Sequence, residues 1–403
     1  MNSITTASLI NNQLPHTLFT GKTLDDKSST FYIKETLKKD KIKQPRPKYK
    51  SKIARFEKQL FQCLNLIPGE DIISEDMPII GEENKSYYLH LFRTAELDPN
   101  KENFFFIHGI FSSGLHFIWL IPYLIKRYNI FITDTIGMGF SARPQRKFTS
   151  AVDCENYFIN IYHVIIKNIF FKGRFDIKEE YYLCGHSLGG LFASRYMLKY
   201  PKGIKKVLLL SPAGITDYRI PGTIMDRDMS CGVYCASVII TPLVWPCRLT
   251  IQNVYRCCCF RCLIKKYFKF PEIENDKIDK KEIKKNPDGS EFIVDVEKIY
   301  TNLNKLLILS LKYPDDLYDC AFELFRVPPP AAVLPIENTL LEDNKIETII
   351  AFGDEDIMDQ TGAYRLRRAN PKLYKVYTVK GGHSFAMENP KELCTIIGQH
   401  FEE

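Results

Sequence analysis

Six short apolar runs recur along the chain, and each ends in small or chemically active residues. Phe104-Phe105-Phe106-Ile107 ends in His108-Gly109, Ile130-Phe131-Ile132-Thr133 in Asp134, and Tyr181-Tyr182-Leu183-Cys184 in Gly185. Lys206-Val207-Leu208-Leu209-Leu210 ends in Ser211-Pro212, Thr348-Ile349-Ile350-Ala351-Phe352 in Gly353, and Lys375-Val376-Tyr377-Thr378-Val379 in Lys380-Gly381-Gly382-His383. Each run has strand length and near-continuous apolarity, the pattern of strands buried on both faces. Helix-like stretches lie between them, among them Leu188 to Tyr200, stopped by Pro201, and Lys391 to Phe401. Strand and helix in alternation predict an α/β fold with a mostly parallel central sheet and helices on both faces. In such sheets the chemistry collects at the carboxyl ends of the strands, where the Gly, Ser, His and Asp residues of these runs fall.

Two stretches break this rhythm. Residues 216–341 carry few strand signals and are read as an inserted lid over the site. Residues 1–52 are a polar, Lys-rich lead-in, read as a flexible tail in which Pro45 and Pro47 oppose a continuous helix. The predicted core is then 53–215 together with 342–403.

The strongest chemical signal is Gly185-His186-Ser187-Leu188-Gly189, which follows a strand and opens a helix. A serine on such a turn projects its hydroxyl above the sheet, and glycines on either side let the backbone pass close by. The N–H of Leu188, at the start of the helix, is a candidate oxyanion donor. A second donor is expected from Ile110 or Phe111, after His108-Gly109. A serine hydroxyl needs a base, and His383 follows the last predicted strand. The base needs an orienting carboxylate. Gly353-Asp354-Glu355-Asp356-Ile357-Met358-Asp359 offers four acids, with Asp356 preferred and Asp359 the alternative. His108 is read as structural. Asp134 to Pro144 is read as a structural turn shaping the pocket floor, because it lacks both the phosphate-loop ending and the dinucleotide-loop spacing.

Composition narrows the setting. The chain has 403 residues, 45% of them apolar, enough for one large core. Its net charge is +7, and residues 1–52 alone hold eleven Lys and Arg against four Asp and Glu, so the excess sits on the tail. A nucleic-acid enzyme spreads such charge over its folded surface, so no nucleic-acid partner is expected. The twelve cysteines, with no signal-peptide pattern at the N-terminus, are read as reduced thiols in a cytoplasmic protein. Cys257, Cys258, Cys259 and Cys262 suit tetrahedral metal ligation poorly, and neither a metal nor a cofactor is expected. The stretch Cys247 to Phe270 carries six Lys and Arg and no acid, interleaved with aromatics. It reads either as a membrane-surface patch or as a solvated lid face.

The order Ser187, acid, His383 is that of the α/β-hydrolases. Within that superfamily the blocks Phe105 to Gly109, Asp134 to Pro144, Leu183 to Gly190 and Leu208 to Ile215 resemble one branch. It holds lysophospholipid and N-acyl-phospholipid lipases, and lipid-droplet lipase co-activators with reported lysophosphatidic acid acyltransferase activity. The resemblance implies a lipid substrate, peripheral contact with a membrane or lipid droplet, and a triad of Ser187, an acid within 356–359, and His383. Co-activator members carry asparagine at the nucleophile position, whereas this chain keeps Ser187. The family's His-x-x-x-x-Asp motif, invoked for acyl transfer, runs here from His383 to Glu388, a departure that weakens the transferase reading.

Overall fold

The computed structural model describes residues 42–43, 47–78, 87–110, 112–144, 146–220, 282–285, 291–294, 296–311, 320–326 and 331–402. The N-terminal 41 residues, Phe111, and the stretch 221–281, with its Cys- and Arg-rich segment, lie outside them.

Eight strands form the central sheet: β1 (Ile72–Pro78), β2 (Tyr88–Thr94), β3 (Glu102–Ile107), β4 (Tyr128–Thr133), β5 (Tyr181–His186), β6 (Ile204–Leu210), β7 (Thr348–Gly353) and β8 (Tyr374–Val379). Their order is β1-β2-β4-β3-β5-β6-β7-β8. From β4 to β8 every pairing is parallel, while β2 runs antiparallel to both β4 and β1. The six apolar runs are thus the six neighbouring parallel strands, with bounds within two residues of those read from sequence. The pair β1 and β2 has no such run. β1 is the sheet edge, and from Ile73 on its exposed positions, Ser74, Asp76 and Pro78, alternate with less exposed ones, as in a strand solvated on one face.

Alternate residues on each parallel strand enter opposite cores. Phe105 and Ile107 of β3, Leu183 of β5, Leu209 of β6 and Ile350 of β7 join one. That face is covered by α2 (Ala151–Ile166) and α3 (Leu188–Lys199). Phe104 and Phe106, Tyr182, Leu208 and Ile349 join the other, with the segment Gly114 to Leu124 and the C-terminal helix. Each fully buried large apolar side chain contributes about 1.5–3 kcal/mol, so both layers hold the sheet in place. No helix among the described residues is long and apolar enough to cross a membrane.

The helix α1 (Pro47–Cys63) begins five residues before the end of the stretch read as tail. It starts on Pro47, a position where the missing N–H costs nothing. α1 packs against α4 (Val296–Leu311). It is fastened to the sheet edge through His90 of β2. His90 Nε2 meets Glu57 Oε1 of α1 at 2.8 Å and Nδ1 meets Asp76 Oδ1 of β1 at 3.3 Å, while Lys50 Nζ reaches Asp76 Oδ2 at 2.8 Å. Burial opposes a charge on His90, but Glu57 above all, then Asp76 and the more distant Asp134, raise its pKa well above the ordinary 6.5. A histidine raised in this way contributes stability that is complete below its unfolded value and is lost as pH climbs through the folded one. The midpoint of urea unfolding should therefore fall as the pH rises above the ordinary histidine value of about 6.5. In His90→Gln that slope should flatten.

Candidate active site

β5 ends at His186 and α3 begins at Leu188, so Ser187 alone makes the turn. Its backbone is held at φ 54° and ψ −120°, a conformation a residue with a Cβ rarely adopts. The turn is braced on both sides. Ser187 N–H donates to Leu210 O at 2.9 Å, and Ser187 O accepts from Gly190 N–H and Ala213 N–H, each at 2.9 Å. The flanking glycines answer a lack of space. A Cβ on Gly185 would sit 2.3 Å from Gly189 O, and one on Gly189 would sit 2.2 Å from Ile107 O. The helix therefore crosses the end of β3 at backbone contact, with Ser187 only 5% exposed.

His383 comes from the loop after β8. Its Nε2 lies 3.0 Å from Ser187 Oγ, and its Nδ1–H donates to Asp356 Oδ1 at 2.9 Å. The base loop and the acid loop touch so closely that a Cβ on Gly353 would lie 2.2 Å from Gly381 O. Asp356 has no exposed side-chain surface. Burial pushes its carboxyl up, but His383 first, then the Ser211 hydroxyl and the Met358 N–H, hold it below the usual carboxylate value. Asp359, the alternative acid, points elsewhere. Its Oδ1 accepts from Thr361 N–H at 2.8 Å, at the start of α6 (Thr361–Ala369; α5 is Glu337–Asp343). Of the two carboxylates, Asp356 is the one that reaches the base.

The donors expected for an oxyanion lie at the same corner. Leu188 is the first residue of α3, where N–H groups have no intrahelical acceptor. The turn at Gly109 and Ile110 abuts Ser187, since a Cβ on Gly109 would meet Ser187 Cβ at 2.8 Å. His108 takes a structural place. Its Nδ1–H donates to Gly109 O at 2.6 Å and its Nε2 accepts from Thr135 N–H at 2.9 Å. Burial lowers its pKa, keeping the ring neutral for that pair of bonds. Asp134 likewise organises its own turn, accepting from Gly114 N–H and Phe140 N–H at 2.6 Å each.

Several contacts at the site were not read from the sequence, although His186 and Glu388 stand in motifs quoted above. His186 Nε2–H donates to the His383 carbonyl at 2.9 Å, and its ring stacks on His116 at 4.0 Å between centroids. Burial depresses both imidazoles, His116 to about 3. Glu388 Oε2 accepts from Gly382 N–H at 2.7 Å and so ties down the turn that carries the base. Ser211, at the end of β6, donates its hydroxyl to Asp356 Oδ2. The one available clue was that Ser211 ends an apolar run. Among the described residues no group of three or more His, Cys, Asp or Glu is arranged to hold a metal ion. The arrangement links a hydroxyl, an imidazole and a buried carboxylate in one line. That chemistry lets the imidazole take a proton from the hydroxyl as it attacks an acyl carbon.

Residues 102–229 match the family model described as the alpha/beta hydrolase fold. The carboxylesterase CesB from Bacillus subtilis superposes with a TM-score of 0.52 at 15% identity, covering 87% of this chain and 98% of that one. This chain has the α/β-hydrolase fold. The chain is also similar in sequence to a probable 1-acylglycerol-3-phosphate O-acyltransferase of Oryza sativa subsp. japonica, 27% identical over 125 residues, 30% of this chain and 28% of the relative. A second relative, 1-acylglycerol-3-phosphate O-acyltransferase ABHD5 of Sus scrofa, is 27% identical over 170 residues, 41% of this chain and 43% of that protein. The match thus spans less than half the length of either relative. The subfamily resemblance read from the motifs agrees with these relatives. The geometry separates the two acids: Asp356→Asn should lower the rate of serine labelling by about 10³–10⁴-fold. Asp359→Asn should keep it within about tenfold of wild type, both followed with a fluorophosphonate probe.

Proposed function

We propose that this hydrolase cleaves acyl esters of lipids through an acyl-serine intermediate on Ser187. The observation that carries this reading is the hydrogen-bonded line from Ser187 through His383 to Asp356 at the carboxyl end of the sheet. In the first half-reaction Ser187 Oγ attacks the ester carbonyl carbon and its proton passes to His383 Nε2. The N–H groups of Leu188 and Ile110 stabilise the oxyanion, each such donor being worth about 2.7–4 kcal/mol of barrier. The C–O bond to the alcohol breaks, and the alcohol leaves with the proton from His383. In the second half-reaction water attacks the acyl-serine, gives its proton to His383, and releases the fatty acid as Ser187 recovers its hydrogen. Asp356 holds the imidazole in the tautomer that both steps need. No step calls for a cofactor.

The substrate class rests on the relatives, which are named for acyl transfer to a glycerol phosphate. Lysophospholipids, N-acyl-phospholipids and acylglycerols are the candidates, met at a membrane or droplet surface by a cytoplasmic protein. The same names favour a second reading, in which 1-acylglycerol 3-phosphate replaces water as the acceptor of the acyl group. The two share one acyl-enzyme and differ only in what attacks it. A third reading, a lipid-droplet co-activator without catalysis, leaves Ser187 with no chemical role.

The test is a product screen of wild type and Ser187→Ala against those lipids, with and without 1-acylglycerol 3-phosphate. Wild type should release fatty acid and react with a fluorophosphonate at Ser187, and the variant should do neither. Labelling that survives the substitution overturns the assignment. Acyl transfer in excess of hydrolysis would select the second reading.

A further inference from the structure

The strand order places β6 between the strand that carries the nucleophile and the strand that carries the acid. Its last residue, Leu210, accepts from Ser187 N–H at 2.9 Å on one side. The next residue, Ser211, donates its own N–H to Ala351 O of β7 at 2.8 Å on the other. Ser211 is completely buried, and its φ is 44°, one of three positive values among the described residues that are not glycine. A left-handed serine is costly wherever glycine would fit without strain. The turn out of the ladder aims the hydroxyl at Asp356, where it donates to Oδ2 while Oδ1 receives His383 Nδ1–H. We infer that Ser211 is a positioning residue of the reaction, fixing the orientation of Asp356 through the carboxylate oxygen that His383 does not use.

This deepens the hydrolase reading and rests on it. A carboxylate has two oxygens and is free to rotate about its Cβ–Cγ bond. Among the described residues the titratable group facing Asp356 is His383, from the loop after β8, and the hydroxyl facing it is Ser211, from the end of β6. Its own loop adds the N–H groups of Met358 at 3.0 Å to Oδ1 and Gly353 at 3.4 Å to Oδ2. With the hydroxyl gone, Oδ2 keeps only the longer bond, the carboxyl becomes easier to protonate, and its plane is freer to turn away from the imidazole.

Two variants separate the hydroxyl from the backbone. Ser211→Ala removes the hydroxyl and keeps the strain, whereas Ser211→Gly removes the hydroxyl and relieves it. The readout is the second-order rate of fluorophosphonate labelling at Ser187 across pH, on full-length protein. If the hydroxyl positions the acid, both variants label about ten- to a hundredfold more slowly at neutral pH. In both, the acid limb moves to higher pH by about one unit. A glycine variant with the wild-type rate and profile overturns the inference, because the serine then serves only the turn. A wild-type chain that is not labelled at Ser187 overturns the hydrolase reading itself, which distinguishes the two failures.

Discussion

The site depends on one steric constraint, the passage of the α3 N-terminus over the end of β3 at backbone contact. Gly189 runs against the carbonyl oxygens of Ile107 and His108, and Gly185 against the carbonyl of Gly189. Any side chain at either position would lift the helix away. With the helix seated, Ser187 has nowhere to go but the disfavoured conformation that points its hydroxyl out of the sheet. The first free N–H groups of α3 then lie beside the same hydroxyl, and so does the turn at Gly109. The projecting hydroxyl and the free N–H groups beside it are therefore two results of one close approach.

Around that corner the structure spends strain and burial on orientation. Asp356 is held by donors from its own loop, from the base and from the neighbouring strand. His383 is held through its carbonyl by His186 and through its loop by Glu388. Glu388 stands where the resembling branch has the aspartate of its acyl-transfer motif. Here its carboxylate is occupied in fastening the base loop, a role that hydrolysis and acyl transfer need equally.

The parallel strands were legible because burial on both faces forces a continuous apolar run, and the motif residues were legible because such strands end where chemistry sits. β1 and β2 were not, for physical reasons. β1 lies at the edge and alternates. β2 includes His90 and Arg93, whose polarity is balanced by Glu57, Asp76 and Glu75, partners far away in sequence. The Lys-rich start of α1 looked like tail for the same reason, since the helix is anchored by Lys50 to Asp76 and by Glu57 to His90, on strands distant in sequence. The preference for Asp356 over Asp359 followed from position after Gly353, but only the fold shows that Asp359 turns toward α6. Ser211 was invisible as a contact, since a serine followed by proline at the end of an apolar run reads as a turn.

The sheet order also bears on how the chain is made. β6 is finished at Leu210, but β7, which covers its open side, begins at Thr348. At a synthesis rate of about 5–20 residues per second, the ribosome needs on the order of ten seconds to supply that neighbour. Meanwhile Val207 to Leu210 form a bare, apolar strand edge, the kind of template on which chains aggregate. The newborn protein thus has a vulnerable interval set by the length of chain between β6 and β7. A chaperone that shields extended apolar segments would act most usefully on this chain during that interval.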